Sequence, residues 1–587
     1  MSEILTKEQI KFLEAEGRVV VKACPGSGKT YTVAKKWLSY ISNWNNYHQG
    51  VAVLSFTNVA SNEIYEKANS MHNCMGKLDY PHFIGTVDSF INEFIVLRYG
   101  HLCTADRIRP QIALTDNWKL PYRWWRTECH RNGCVQNFEQ FHYGIDKKFY
   151  KGNTPVGCEL RGKARELPCQ QYKHILTKKN IVFQNEAAYF AYRLLKKYPT
   201  IAQAIVERFP IIIIDEAQDT SEEQMAVFDL LVDAGIKSMF LVGDPDQAIY
   251  EWRNAKPECF IRKMDDETWQ SIELTGNFRS SQKICSATAH FAASLQEKSC
   301  NKAIGEWKDE SEKPVLLLTN GNIEDEVIGY FLEKCKKMGI DINSNNVAVL
   351  TRGRIHSETD ISGLWKSKEI EYFASAAYEW KYGSRKKACK ITSKASFIMI
   401  FGEEIEDSLM IQKIREYVDD LVWQDFTIDI LSDIPDIDLG IADWVKEFTC
   451  YYIEIVNKYG FEICTQKDIK DYFKIKSRDK GVPSFKKIPI KHFFEKKNMG
   501  EYTRSSIHGV KGESFDAILI YIKSQKGKTI TPKFLTEGDL ENELMRVAYV
   551  AMTRPKRLLM IAMPGHRSVK EYKRLPCDKW YYERALL

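Results

Sequence analysis

Ala23-Cys24-Pro25-Gly26-Ser27-Gly28-Lys29-Thr30 stands between an apolar run, Val19-Val20-Val21, and a helix-compatible segment from Tyr31 to Trp37. Strand, glycine-rich turn and helix form the context that a phosphate-binding loop requires. Gly26 and Gly28 let the backbone bend until several N–H groups face one anion, and the helix N-terminus adds partial positive charge. Lys29 can reach the β- and γ-phosphates of a nucleotide, and the Thr30 hydroxyl suits Mg²⁺. Ala23 occupies the first position of the pattern, where glycine is usual; the exchange of one small residue for another leaves the turn intact. Such a loop says only that a nucleotide binds, so its purpose has to come from the rest of the chain.

Working outward, two further strand ends carry chemistry. Ile211-Ile212-Ile213-Ile214 reads as a strand buried on both faces and runs into Asp215-Glu216-Ala217-Gln218-Asp219-Thr220. In an open parallel sheet ligands bind at such carboxyl ends. Asp215 is placed to hold Mg²⁺ and Glu216 to polarise the water that attacks a γ-phosphate. Met239-Phe240-Leu241-Val242 ends in Gly243-Asp244-Pro245-Asp246-Gln247, with Tyr250, Trp252 and Arg253 close behind. The Gln247 amide could touch the γ-phosphate while the aromatics stack on bases. That arrangement would couple phosphate state to base contact.

The remaining blocks are weaker singly. Thr6 is placed to cap a helix carrying Gln9, whose amide suits the edge of adenine. Val51 to Leu54 reads as a buried strand leading to Phe56-Thr57-Asn58, and Gly85-Thr86-Val87-Asp88-Ser89 is a second strand-to-helix junction. Leu274-Thr275-Gly276-Asn277-Phe278-Arg279 sets an aromatic beside an arginine, and Arg554 in Tyr549-Val550-Ala551-Met552-Thr553-Arg554 is a second arginine for a phosphate cleft. Ser506-Ile507-His508-Gly509-Val510-Lys511-Gly512-Glu513 precedes the strand Ala517 to Ile520. A second sheet begins at Val315 to Leu318 and Val347 to Leu350.

Two stretches interrupt this α/β alternation. Residues 97–185 are rich in Tyr, Trp, Arg, Lys and Cys, including Tyr122-Arg123-Trp124-Trp125-Arg126; the composition suits single-strand contact or a small helical core. Residues 375–490 read as helical, with Glu404 to Leu421 a helix and a basic run from Lys467 to Lys497 that holds Tyr472, Phe473 and Phe485. Cys129, Cys134, Cys158 and Cys169 cluster near three histidines, which admits a metal or iron–sulfur site. No tight Cys-x-x-Cys pair supports it over free thiols.

At 587 residues the chain is too long for one core, and several domains are expected. A net charge of +6 permits nucleic acid as partner without requiring it. No apolar run is long enough to span a membrane and Met1-Ser2-Glu3 opens no signal peptide, so a cytoplasmic location is expected. No nuclease constellation of the Asp/Glu-x-Lys kind stands out after the last block.

Taken in order, these blocks resemble the superfamily-1 DNA helicases of the UvrD/Rep/PcrA type from Thr6 to about Ile561, nearly the whole chain. The resemblance implies two RecA-like parallel-sheet domains with ATP and Mg²⁺ between them, each with an inserted, mainly helical subdomain. The expected division is a first domain 1–96 and 186–278 with insertion 97–185, and a second domain 279–374 and 491–587 with insertion 375–490. Family roles then fall on Gln9 for adenine, Ala23 to Thr30 for phosphates, Thr30 and Asp215 for Mg²⁺, Glu216 as base and Gln247 as γ-phosphate sensor. Phe278 stands where the family often has an adenine-stacking Tyr. Arg279 and Arg554 match the arginine fingers and Glu513 the ribose contact. Phe56, Thr57, Asn58, Thr86, Tyr250, Trp252, Arg253 and His508 match DNA-contacting positions. Asp88, where the family often has His, would repel a phosphate track. The implied activity is ATP-driven 3′-to-5′ movement on single-stranded DNA or on a duplex with a single-stranded tail. The compact insertions and short C-terminal end resemble the helicase-like subunit of Gabija anti-phage systems, which works with an OLD-family nuclease. In that setting unwinding would be reduced or partner-dependent, and the chain would sense DNA or nucleotide to gate the nuclease.

Overall fold

The computed structural model describes residues 5–42, 44–71, 78–105, 107–113, 141–156, 168–250, 254–293, 301–319, 324–351, 365, 367–382, 385–402, 410–464, 469, 473, 489–491, 502–510, 512–522, 530–565 and 572–584. Six short runs rich in Val and Ile build the first sheet, in the order Gln270–Leu274, Arg18–Ala23, Ser238–Gly243, Ile211–Ile214, Val51–Ser55, Phe83–Thr86. Every neighbouring pair is parallel. Parallel strands need crossover connections, so helices must cover both faces and the strands read as continuous apolar runs. The period of two is visible in the packing. Val19, Val21, Ile211 and Ile213 face Phe12 and Trp37 on one side, while Val20, Ile212 and Ile214 face Phe90, Leu194 and Phe228 on the other. Each fully buried isoleucine contributes roughly 1.5–3 kcal/mol.

The second sheet runs Thr503–Ser506, Val347–Thr351, Phe515–Tyr521, Pro555–Pro564, Val315–Thr319, Tyr581–Arg584. Parallel pairing joins the last five. Its core gathers Leu316, Leu350, Ile518 and Leu559 under the helix Glu543–Met552. Ile249 is fully buried in this second core although it follows a strand of the first sheet. That segment ties the two sheets together.

Both sheets belong to one compact unit, Met1–Gly353 with Arg504–Leu587; Arg354–Thr503 forms a second unit. The second unit is helical in its described residues, with Lys368–Tyr382, Arg385–Phe401, Met410–Tyr417, Asp420–Ser432 and Ile441–Lys458 around Trp423, Trp444 and Phe448. The expected helix over Glu404 to Leu421 is broken, because Asp419 accepts from the Leu421 N–H at 2.9 Å and caps a new helix. The first insertion, expected to be mainly helical, includes strands among its described residues. Phe141–Tyr143, Phe149–Lys151 and Thr154–Pro155 form a three-stranded antiparallel sheet, followed by the helix Pro168–Lys178. Its aromatic residues Phe141 and Phe149 pack edge to face at 5.3 Å, a pairing that strands accommodate as well as helices do. Tyr122 to Arg126, and Tyr472 and Phe485 of the basic run, lie outside the described residues.

Candidate functional site

The first sheet delivers its chemistry at the carboxyl ends of four adjacent strands. Arg18–Ala23 runs into the glycine-rich loop, where Gly26 and Gly28 adopt φ of 72° and 76°. A Cβ at Gly26 would come within 2.5 Å of Asn277 Oδ1. Ala23 and Pro25 are buried, and the Cys24 thiol lies 3.7 Å from the Gly276 carbonyl. Burial, then Asp244, push that thiol's pKa up, so it is no thiolate. The helix Lys29–Ile41 starts with no side-chain cap, leaving its first N–H groups open to an anion. Ser27 Oγ is buried without a hydrogen-bond partner among the described residues, although Ser27 lines the cleft. A phosphate oxygen would supply that partner, so the loop fits a nucleotide.

Ile211–Ile214 ends at the acids. Glu216 has φ 55°, a left-handed backbone that costs a non-glycine residue roughly 1–2 kcal/mol. The turn brings Glu216 Oε2 to 3.4 Å from Lys29 Nζ and lets the Glu216 N–H donate to Asp215 Oδ1 at 2.9 Å. Burial opposes the charge on Lys29, but Glu216, Asp244 and Asp215 outweigh it and hold its pKa above the ordinary value. Burial and the neighbouring Glu216 push Asp215 up to about 7. Thr30 lines the cleft together with Lys29 and Glu216. A hydroxyl and a carboxylate are the hard oxygen donors that Mg²⁺ takes, so Thr30 and Asp215 fit that ion. Among the described residues no cluster of three His, Cys, Asp or Glu forms a further metal site. Cys129, Cys134 and Cys158 lie outside the described residues, and Cys169 is buried.

The second sheet contributes cations. Arg554, at the end of the helix Glu543–Met552, donates to Gln247 Oε1 through Nη2 and to the Val550 carbonyl at 3.1 Å through Nε. Arg279 donates to the Thr553 carbonyl at 3.1 Å. Burial, then the nearby Arg554, push Arg279 down to about 9; it stays charged at neutral pH. Arg279, Arg554 and Lys29 all line one cleft with Glu216 and Gln247.

Two residues not singled out in the sequence complete the connection. Gln218 Nε2 donates to Glu216 Oε2 at 2.6 Å, and its Oε1 accepts from the Asp244 N–H at 3.0 Å. Asp244 Oδ2 in turn accepts from Gln247 Nε2 at 2.5 Å. A buried polar run thus passes from Glu216 through Gln218, Asp244 and Gln247 to Arg554. Arg546, also buried, donates to the Ala248 carbonyl at 2.7 Å. Gln218 is inside the quoted acidic block, but nothing in the sequence pairs it with residue 244. No signal marked Arg546.

The base-reading and strand-contacting candidates divide into three groups. Gln9 is buried; its Oε1 accepts from the Thr6 N–H at 3.0 Å, and its Nε2 donates to the Ser27 carbonyl and Thr32 Oγ1, both at 3.2 Å. A Cβ on Gly28 would meet Gln9 at 3.2 Å and Phe278 at 3.9 Å, so both flank the loop on one side, with Phe278 37% exposed. Glu513 is exposed beside the cleft-lining Gly512. Phe56 and Tyr250 bring their rings to 4.8 Å at the cleft. Thr57 and Thr86 commit their hydroxyls to capping, accepting from the Ala60 and Ser89 N–H groups at 3.2 and 3.0 Å, and Asn58 opens an exposed helix start. Asp88 is tied into the fold, accepting from Gln224 Nε2 at 2.7 Å. Trp252, Arg253 and the His508 side chain lie outside the described residues.

Residues 5–268 match the UvrD/REP helicase N-terminal domain. The chain is 30% identical to the Gabija protein GajB of Bacillus cereus (strain VD045) over 48% of this chain and 47% of that protein; it thus spans about half the length of that relative. It is 23% identical to the ATP-dependent DNA helicase Rep of Buchnera aphidicola subsp. Acyrthosiphon pisum over 92% of both chains. Identity with DNA helicase II of Escherichia coli (strain K12) is 28%, over 54% of this chain and 44% of that one. With a phosphate loop, an Asp-Glu strand end and two arginines meeting beside parallel sheets, the chain carries a UvrD/REP helicase N-terminal domain and is similar to the UvrD-like superfamily-1 helicases.

Proposed function

We propose that this chain is a DNA-dependent ATPase that moves 3′ to 5′ along single-stranded DNA. The polar run from Lys29 and Glu216 through Gln218, Asp244 and Gln247 to Arg554 carries the reading. It joins a candidate general base to a cation from the other sheet, and Gln247 is three residues from Tyr250, whose ring meets Phe56. In this reading Gln9 and Phe278 take adenine, Glu513 the ribose, and the loop Ala23 to Thr30 with Lys29 the phosphates. Mg²⁺ held by Thr30 and Asp215 would neutralise charge on the β- and γ-oxygens. Glu216 takes a proton from the attacking water, and Arg279 and Arg554 stabilise charge on the transferring phosphoryl group. A γ-phosphate competes with Gln247 for Arg554; their exchange moves Tyr250 and so alters the grip on bases. Stacking of roughly 1–3 kcal/mol per base is firm enough to hold and weak enough to release. Phe56, Thr57, Asn58, Thr86, Tyr250, Trp252, Arg253 and His508 form the track. The same reading keeps the domain division at 1–96, 97–185, 186–278, 279–374, 375–490 and 491–587, and a cytoplasmic location.

The test is ATP hydrolysis by the purified chain with and without single-stranded DNA, beside Lys29→Ala. Stimulation by DNA, and a loss of about 10²–10³-fold in the variant, are expected. Unimpaired turnover in Lys29→Ala overturns the site.

The match to the Gabija protein favours a second reading, a DNA- or nucleotide-sensing NTPase subunit that gates an OLD-family nuclease in anti-phage defence. Strand separation by the isolated chain on a tailed duplex favours the motor. Hydrolysis without separation favours the gate.

A further inference from the structure

A groove of about 950 Å³ is lined by the helices Pro168–Lys178 and Ala187–Lys197 and by Cys103 to Ala105. Among the described residues it shares no lining residue with the ATP cleft. Five cations point their exposed side chains around it: Lys147 from a hairpin turn, Lys178 from one helix, and Arg193, Lys196 and Lys197 from the other. None of the five has an ion-pair partner among the described residues. The one carboxylate among its described lining residues, Glu186, is already held by the buried Lys173 at 3.1 Å. Cations at a helix C-terminus complement its dipole, which accounts for Lys178, Lys196 and Lys197 one at a time. It does not account for three elements bringing five like charges to one concave wall, where they repel one another. A polyanion relieves that repulsion.

Aromatic rings lie among the charges. Tyr189 is buried, with Tyr143 stacked on it at 5.4 Å and Arg193 5.9 Å from its ring, so the rings left for a base are those of the half-buried Tyr143 and Tyr192, the latter 5.5 Å from Lys196. A basic groove that follows a backbone, with rings for bases to stack on, is how proteins bind single strands without reading sequence. We propose that this groove is a second contact for single-stranded nucleic acid, separate from the strand track at the ATP cleft. It would hold strand that has left, or not yet reached, the motor.

The experiment is fluorescence anisotropy of labelled oligothymidylates with the full chain over a salt series. Two lengths are used, roughly 10 nucleotides, which one site spans, and about four times that. Wild type is compared with Arg193→Glu/Lys196→Glu/Lys197→Glu and with Lys147→Glu/Lys178→Glu from the facing elements; thermal melts check that both fold. All five positions are exposed, and neither variant touches the ATP cleft. The expected result for the triple variant is at least about tenfold weaker binding of the long oligonucleotide. Its log affinity against log salt slope should be shallower by about 2, from three lost phosphate contacts at about 0.7 each. The double variant should shift the same way, while ATPase stimulation by the short oligonucleotide stays at the wild-type level. Unchanged affinity and slope in both folded variants overturns the groove. So does displacement of the oligonucleotide by polyglutamate at equal charge, which would assign the groove to an acidic protein. A loss of short-oligonucleotide stimulation in parallel overturns its separateness. If wild type shows no ATPase stimulation yet the variants lose binding, the groove stands and the motor reading falls.

Discussion

The two parallel sheets share an architecture and differ in what they bury at their edges. The first buries acids and amides at its strand ends: Asp215, Gln218, Asp219, Asp244, Asp246 and Gln247. The second offers Arg546, Thr553 and Arg554 from a single helix and its last turn. Acid and amide on one side meet guanidinium on the other, and where they touch, Gln247 bonds Arg554. A polyphosphate with its cation is the ligand that could enter between such faces and satisfy both, with the cation facing the acids and the phosphates facing the arginines. The asymmetry therefore divides labour. On the proposed reading, one sheet holds the nucleotide and activates water, and the other senses and stabilises its terminal phosphate.

Removing the second sheet's cation should have the largest effect. Arg554→Ala should lower ATP turnover by about 10³-fold or more, the scale of a lost arginine finger, with nucleotide affinity changed far less. Equal losses in affinity and turnover, measured by nucleotide titration and steady-state kinetics, would make Arg554 a ground-state contact. A smaller effect is expected inside the first sheet. Gln218→Leu should reduce kcat about tenfold with little change in KM, because Gln218 orients Glu216 at 2.6 Å. Gln218→Glu sets a second carboxylate beside Glu216 and should move the acid limb of the pH–rate profile upward; an unmoved limb would leave Gln218 a purely structural brace.

The least effect concerns stability at the edge of the first sheet. His82 Nδ1 accepts from the Val51 N–H at 3.1 Å, which requires an unprotonated ring nitrogen. Burial, then Arg208, lower its pKa from the ordinary histidine value to about 4. As pH falls below about 6.5 the unfolded chain takes a proton that the folded chain refuses, so this stability is full above that pH and is lost toward pH 4. Urea midpoints at about pH 7.5 and about pH 5 should lie closer together in His82→Asn than in wild type. An identical pH response in both proteins would place the acid sensitivity elsewhere.

What could be read directly were the strand-end blocks. Val19-Val20-Val21 before Gly26, and Ile211 to Ile214 before Asp215, are legible because a strand buried on both faces must be apolar throughout and its polar neighbours must then sit at its end. The helix cap at Thr6 and Gln9 was legible because its partners are three residues apart. The strands of the first insertion were not. Phe141 to Lys151 carries aromatics and lysines that suit either a helix face or a short sheet, and only the packing against Tyr189 and Lys173 settles the choice.

By itself, then, the sequence determined which residues stand at strand ends and which loop bends around a phosphate, since those depend on neighbours a few positions away. The tertiary structure alone decided the joins. Gln247 meets Arg554 across 307 residues, Arg546 meets Ala248 across 298, and Arg279 meets Thr553 across 274. The groove cations likewise come from three separate elements. Parallel strands are hydrogen-bonded only after a crossover, so their ends become neighbours in space while remaining far apart along the chain. A local pattern carries no record of such a meeting.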